Sequence, residues 1–190
     1  EQFGQLLRTE KRFISVGGDH STTLPVLRAV KEHYEDSVAL IHFDAHLDTY
    51  PAAWGCEYHH GSFLRHAVDE GLVIGQKTVQ IGIRGPLAGS SDLDFIRKHN
   101  LKTTADDDLR EQSVDNIIDM IHQAVGNSLC YISFDIDCLD PAYAPGTGTP
   151  VVGGLGVRIV VWKVHMFVHT PKSMEPNMQH NVHRQPTAMC

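Results

Sequence analysis

The sequence predicts an α/β fold with three layers, α/β/α, built on a mainly parallel sheet. Three observations carry this. Short apolar runs at residues 12–16, 38–43, 78–83 and 129–134 alternate with stretches whose apolar residues recur at helical spacing. The runs are nearly continuous in apolar character, as strands covered on both faces are. The charged motifs fall just past the ends of those runs, where open parallel sheets hold their ligands.

The elements follow in order. Residue 1 reads as part of a helix end. The strand at 12–16 runs into Gly17-Gly18-Asp19-His20-Ser21, where two glycines let the chain turn tightly. Ser21 or Thr22 is expected to cap the next helix, with Pro25 in its first turn. The strand Val38–Phe43 completes a βαβ unit and leads into Asp44-Ala45-His46-Leu47-Asp48. Residues 49–60 lack periodicity and read as a loop. Phe63, Leu64, Ala67 and Val68 have helical spacing, with Gly71 as the stop. The strand at 78–83 ends in Arg84-Gly85-Pro86, and Leu93, Phe95 and Ile96 suggest a short helix. Asp106-Asp107-Asp108 reads as a helix N-terminus, where carboxylates favour the dipole. Val114, Ile117, Ile118, Ile121 and Val125 mark the helix behind it, and the strand at 129–134 ends in Asp135-Ile136-Asp137. Residues 1–155 are expected to form one α/β domain. Residues 156–190 are expected to be a divergent, poorly ordered tail, polar and proline-containing from Thr170 onward.

Bulk properties narrow the function. The chain has 190 residues, 42% of them hydrophobic, enough for one domain with a real core. Its formal net charge is -7 with no basic run, which argues against nucleic acid and anionic membrane as partners. No apolar run approaches the roughly 18–20 residues that span a bilayer. The four cysteines, Cys56, Cys130, Cys138 and Cys190, show no framework spacing, so a reducing compartment, cytoplasmic or mitochondrial, is expected. The chain begins with Glu1 rather than Met, and a fragment is expected.

Asp44, His46 and Asp48 are spaced by two, so in extended backbone they share a face. Asp135 and Asp137 repeat that spacing, and His20 follows another strand. Buried together, such groups are costly unless a cation offsets their charge. Four aspartates balance two divalent ions, and oxygen-rich ligands with a histidine minority suit manganese better than structural zinc. Each motif alone has an ordinary reading: a polar loop for Asp44–Asp48, a turn for Asp19-His20, a helix cap for Asp135 or Asp137. Asp19 reads as a turn residue or as a partner orienting His20. The joint occurrence at strand ends favours a two-metal site. His180 and His183 in the tail are no more than a weak metal hint.

The three motifs together resemble those of the ureohydrolases, the family of arginase, agmatinase and related guanidino-acid hydrolases. They are Gly17–Ser21, Phe43–Asp48 and 133–141, the last continuing through Pro145-Gly146-Thr147-Gly148-Thr149-Pro150. That stretch and Gln80-Ile81-Gly82-Ile83-Arg84-Gly85 are more similar to the agmatinase branch than to arginase proper. The resemblance spans residues 13–155. It implies an arginase-like fold, incomplete in this chain, and a hydrolase with two Mn²⁺ per chain that cleaves a guanidino compound to an amine and urea. It also implies that His20 and Asp48 serve one manganese, His46 and Asp137 the other, and that Asp44 and Asp135 bridge. His60, in His60-Gly61-Ser62-Phe63, would shuttle protons or hold substrate, with His59 facing solvent. Agmatine or a guanidino acid would be the substrate, and a homo-oligomer the assembly. The family continues past residue 155 into a helix and a strand whose acidic motif holds the guanidinium. Glu175 is the only acidic residue after Asp140, and its setting does not match. The alternative expectation is therefore a truncated, catalytically weak isoform that binds metal or associates with intact subunits.

Overall fold

The computed structural model describes residues 2–9, 14–105, 112–157 and 179–183. Among these, six strands form one parallel sheet: β1 (Ile14–Gly17), β2 (Val38–Phe43), β3 (Val73–Ile83), β4 (Lys102–Ala105), β5 (Cys130–Asp135) and β6 (Gln179–His183). Their spatial order is β1-β6-β5-β2-β3-β4. The helices are α1 (Gln2–Thr9), α2 (Thr23–Tyr34), α3 (Phe63–Asp69), α4 (Ser90–His99) and α5 (Val114–Val125). Short 3₁₀ turns at His20–Thr22, His60–Ser62 and Ile136–Cys138 stand beside the site described below. No helix among the described residues is long and apolar enough to cross a membrane.

Strand β2 shows why the sheet is covered on both sides. All six of its residues are buried. Ala39, Ile41 and Phe43 join Val79, Ile81 and Ile132 in a core closed by Ile117, Ile121 and Val125 of α5. Val38 and Leu40 point the other way, into a core built with Leu24 and Leu27 of α2, Phe63 and Leu64 of α3, and Phe95 of α4. Alternate residues of one strand thus feed two cores, which is why the run carries no polar alternation.

The structure adjusts several expectations. Thr22 stands at the N-cap position of α2 as expected, but without a side-chain capping hydrogen bond. The side-chain cap is made one turn earlier by Asp19, whose carboxylate accepts from the Ser21 N–H at 2.9 Å and starts the 3₁₀ turn that leads into α2. Strand β3 begins at Val73 rather than Thr78. Val38 pairs with Val73, and the register then shifts so that Leu40 faces Thr78, a bulge that hides the early pairing from sequence. Strand β4 was not expected, because Lys102-Thr103-Thr104-Ala105 has almost no apolar signal; among the described residues it pairs with β3 alone. Strand β6 falls in the tail, where the sequence gives no strand pattern; its backbone pairs with both β1 and β5. Asp106-Asp107-Asp108 lies outside the described residues.

Candidate metal centre

The C-terminal ends of β2 and β5 are neighbours, with Phe43 in register with Phe134. Asp44 therefore emerges beside Asp135. The 3₁₀ turn after β1 brings in His20, and the one after β5 turns Asp137 toward the same point. Asp48 reaches it through a left-handed backbone, φ 51°, uncommon for a residue with a side chain. The loop after it is fastened, since the Asp48 carbonyl accepts from the Leu64 N–H at 3.0 Å.

Two groups of ligand-type atoms result, His20 with His42, Asp44 and Asp48, and His46 with Asp44 and Asp137, so that Asp44 belongs to both. Around the first, His20 Nδ1 lies 2.9 Å from Asp44 Oδ2, 2.9 Å from Asp48 Oδ2 and 3.3 Å from Asp135 Oδ2. In the second, His46 Nδ1 lies 3.3 Å from Asp44 Oδ1 and 3.1 Å from Asp137 Oδ2. One Asp44 oxygen thus faces each group. His20, Asp44, Asp135 and Asp137 are each 1% exposed, and Asp48 is 4%. Further donors fix the carboxylates: the His46 N–H gives to Asp44 Oδ1 at 2.6 Å, the Ala45 N–H to Asp137 Oδ1 at 3.1 Å, the Asp137 N–H to Asp135 Oδ1 at 3.0 Å, and the Thr149 hydroxyl to Asp137 Oδ2 at 3.0 Å.

Four buried carboxylates this close strain the electrostatics of the site. Burial, together with the charge of Asp44, pushes Asp48 up to about 8 and Asp137 up to about 7. Burial works against a charged His46, yet its hydrogen bonds to Asp137 and Asp44 raise it to about 10. His20 is likewise raised well above its ordinary value, with Asp135, Asp44 and Asp48 outweighing burial. Burial opposes ionisation of Asp44 too, but His42, His20 and His46 hold it well below the carboxylate range. Among the described residues, the nitrogen groups within ion-pair distance of these carboxylates are imidazoles alone. The donor set fits two divalent cations: carboxylate oxygens outnumber ring nitrogens, the shared carboxylate presents one oxygen to each group, and added positive charge would relieve the perturbed acids.

Above the carboxylates lies a cavity of about 130 Å³, bounded by Tyr50, Trp54, His60, Pro86 and Thr149 besides the aspartates. His60 stacks on the Trp54 indole with ring centroids 5.9 Å apart. Burial lowers its pKa below the ordinary histidine value, favouring the neutral ring. The neighbouring His59 is half-buried rather than solvent-facing, and its Nε2 lies 3.0 Å from the Pro51 carbonyl. All six aspartates and histidines expected to bind metal come together, and His60 lines the cavity above them. His42, Gln80, Ser133 and Arg84 also shape the site. The sequence reading assigned none of them a role, because each looks like an ordinary strand or turn residue until the strands are set in register.

Comparison with known proteins shows which family the chain is similar to. The family model described as the arginase family matches residues 1–174. The chain is 46% identical over 156 residues to proclavaminate amidinohydrolase of Streptomyces clavuligerus, covering 82% of this chain and 50% of that protein. It is 47% identical over 151 residues to an agmatinase of Klebsiella pneumoniae, covering 80% and 46%. The chain thus spans about half the length of the curated relatives it matches. Among solved structures, the S. clavuligerus enzyme superposes with a TM-score of 0.87 at 40% identity, covering 97% of this chain and 60% of that one. Bacillus caldovelox arginase shares the fold, with a TM-score of 0.85 at 24% identity over 97% and 65%.

Proposed function

The chain belongs to the arginase family, and on that premise we propose that it forms the metal-binding half of a ureohydrolase that cleaves a guanidino compound to an amine and urea. The observation that carries this is Asp44, which offers Oδ2 to the His20 group and Oδ1 to the His46 group. His20 and Asp48 would hold one manganese ion, and His46 and Asp137 the other, with Asp44 and Asp135 shared. Bound there, the pair supplies a hydroxide near neutral pH and the positive charge that steadies a tetrahedral centre. The resonance-stabilised guanidinium is a poor electrophile, so positioning matters as much as activation.

The chain's own residues do the rest. Trp54, Tyr50 and Pro86 line the cavity above the carboxylates and offer apolar and ring surface beside the site where a substrate would sit. His60 sits at its wall as a largely neutral base, suited to carry a proton toward a departing amine. Thr149 keeps Asp137 aimed inward. The agmatinase-like similarity favours agmatine or a related guanidino compound as substrate, and association into a homo-oligomer is part of the proposal.

The test is manganese content together with urea release from agmatine, guanidinobutyrate and arginine. Two manganese ions per chain with urea release is the expected result. Metal bound without urea release would replace this reading with that of a metal-binding chain lacking turnover.

A further inference from the structure

One layer below the carboxylates, four polar residues lie side by side across four strands. Ser133 of β5 is in register with His42 of β2, His42 with Gln80 of β3, and Gln80 with Thr103 of β4. Ser133, His42 and Gln80 are fully buried. A buried polar row in the middle of an apolar sheet is costly unless its members satisfy one another.

The hydrogen bonds determine every proton in the row from Thr103 to Asp44. Gln80 Nε2 lies 2.8 Å from the Leu47 carbonyl, which can only accept, so that atom is the amide NH₂. The other amide atom is then the oxygen, and it accepts from the Thr103 hydroxyl at 3.0 Å. The same NH₂ lies 3.1 Å from His42 Nδ1. Two donors cannot face each other, so Nδ1 is bare and accepts. The imidazole proton is therefore on Nε2, which lies 2.9 Å from Asp44 Oδ2. His42 also lies edge-on to Phe63, with ring centroids 5.3 Å apart, which limits ring rotation.

We propose that His42 is a positioning residue for the shared carboxylate: held by Gln80 as the neutral Nε2–H tautomer, it donates to Asp44 Oδ2 and is not itself a metal ligand. Apart from the ring nitrogens of His20 and His46, which are the expected metal ligands, Asp44 then receives one N–H on each oxygen, from His42 on Oδ2 and from the His46 backbone on Oδ1. Each oxygen keeps a lone pair for a cation on its own side. Proximity alone would group His42 with His20, Asp44 and Asp48 as a ligand cluster, but its tautomer leaves no lone pair on the nitrogen that faces them. The inference rests on the metal reading given above.

The experiment is manganese titration of the full chain, followed by electron paramagnetic resonance, with His42→Leu, His42→Gln and Gln80→Met compared with the unmodified chain. A glutamine amide can place an N–H where Nε2 stands and, with that N–H turned to Asp44, presents no lone pair to a cation there. His42→Leu should weaken manganese binding about 10–100-fold and reduce the signal of the coupled pair, as loss of a partner orienting a ligand does. His42→Gln should restore most of that affinity and the coupled signal. Gln80→Met, which frees the tautomer without touching a ligand, should weaken binding in the same direction by a smaller factor. Binding by His42→Gln as poor as by His42→Leu would make His42 a ligand and overturn the proposal. Unchanged affinity in Gln80→Met would overturn the tautomer argument. Failure of the unmodified chain to bind manganese would instead remove the metal reading beneath both.

Discussion

Arg84 donates through Nη2 to the backbone carbonyl of Asp137 at 2.7 Å. The same guanidinium reaches the carbonyls of Gly82, Cys138, Leu139 and Val151. A cation at the end of β3 thus gathers the chain that follows β5 and sets where Asp137 points. Asp140 completes the fold of that segment by accepting from the N–H groups of Gly153 and Gly154. Arg84→Lys keeps the charge but cannot span five carbonyls, because its donors radiate from a single atom. We expect Arg84→Lys to lower stability by roughly 2–3 kcal/mol, the scale of charge-assisted hydrogen bonds left unmade. Urea denaturation checks this, and an unchanged midpoint would show that the carbonyl cage is incidental.

Asp44→Asn replaces a shared anion by a neutral amide that can bind through one oxygen. Manganese content should fall from two ions per chain to one or none, measured by elemental analysis after dialysis. Two ions retained would remove the shared-carboxylate assignment.

His60→Ala should leave metal content alone and reduce turnover, because His60 lines the cavity wall and belongs to neither ligand group. The scale expected for a lost proton carrier is about 10²–10⁴-fold in kcat. A variant that loses manganese instead would place His60 at the metals.

Manganese binding should release protons. In the metal-free chain, Asp137 near 7, Asp48 near 8 and His46 near 10 all hold protons at pH 6 and give them up as pH rises. A cation displaces them, so apparent affinity should climb between pH 6 and 9, and proton release per ion should shrink over the same range. Calorimetry in two buffers of different ionisation enthalpy measures this. Stability has a definite sign as well. The raised His46 contributes fully below its ordinary value of 6.5, and that contribution is lost as pH rises toward 10. The raised carboxyls cost stability as pH climbs from 3.8 through 7 and 8, where burial disfavours their ionised forms. The metal-free chain should therefore melt at a lower temperature at pH 9 than at pH 6, with manganese reversing the trend. A metal-free melting temperature that rises with pH would contradict these shifts.

Gly85→Ala tests the closeness of the second ligand group. A Cβ at Gly85 would come within 2.5 Å of His46 Cδ2 and 3.0 Å of the Ala45 carbonyl. The His46 ring must move, so the ion it serves should bind more weakly while the His20 side is kept. Equal loss of both ions would point to general unfolding, which a circular dichroism melt separates.

The sequence by itself determined the fold class and the ligand-type side chains. Short continuous apolar runs alternating with helical spacing read as strands covered on both faces. The joint occurrence of His20, Asp44, His46, Asp48, Asp135 and Asp137 past such runs favours a cation over the loop, turn or cap that each motif alone would allow. Those signals are local: they reside in spacing along one segment, which any chain position can show. The tertiary structure decided everything that depends on register between segments. A register shift between Val38 and Leu40 separates the Val38–Val73 pairing from the rest of β3, and backbone pairing makes strands of Lys102–Ala105 and Gln179–His183. Register also sets His42 between Gln80 and Ser133. In sequence, His42 is a lone histidine in an apolar strand and Gln80 a lone amide in another. Only pairing them across the sheet gives the imidazole its tautomer, and only that tautomer turns a buried histidine into the donor that orients Asp44.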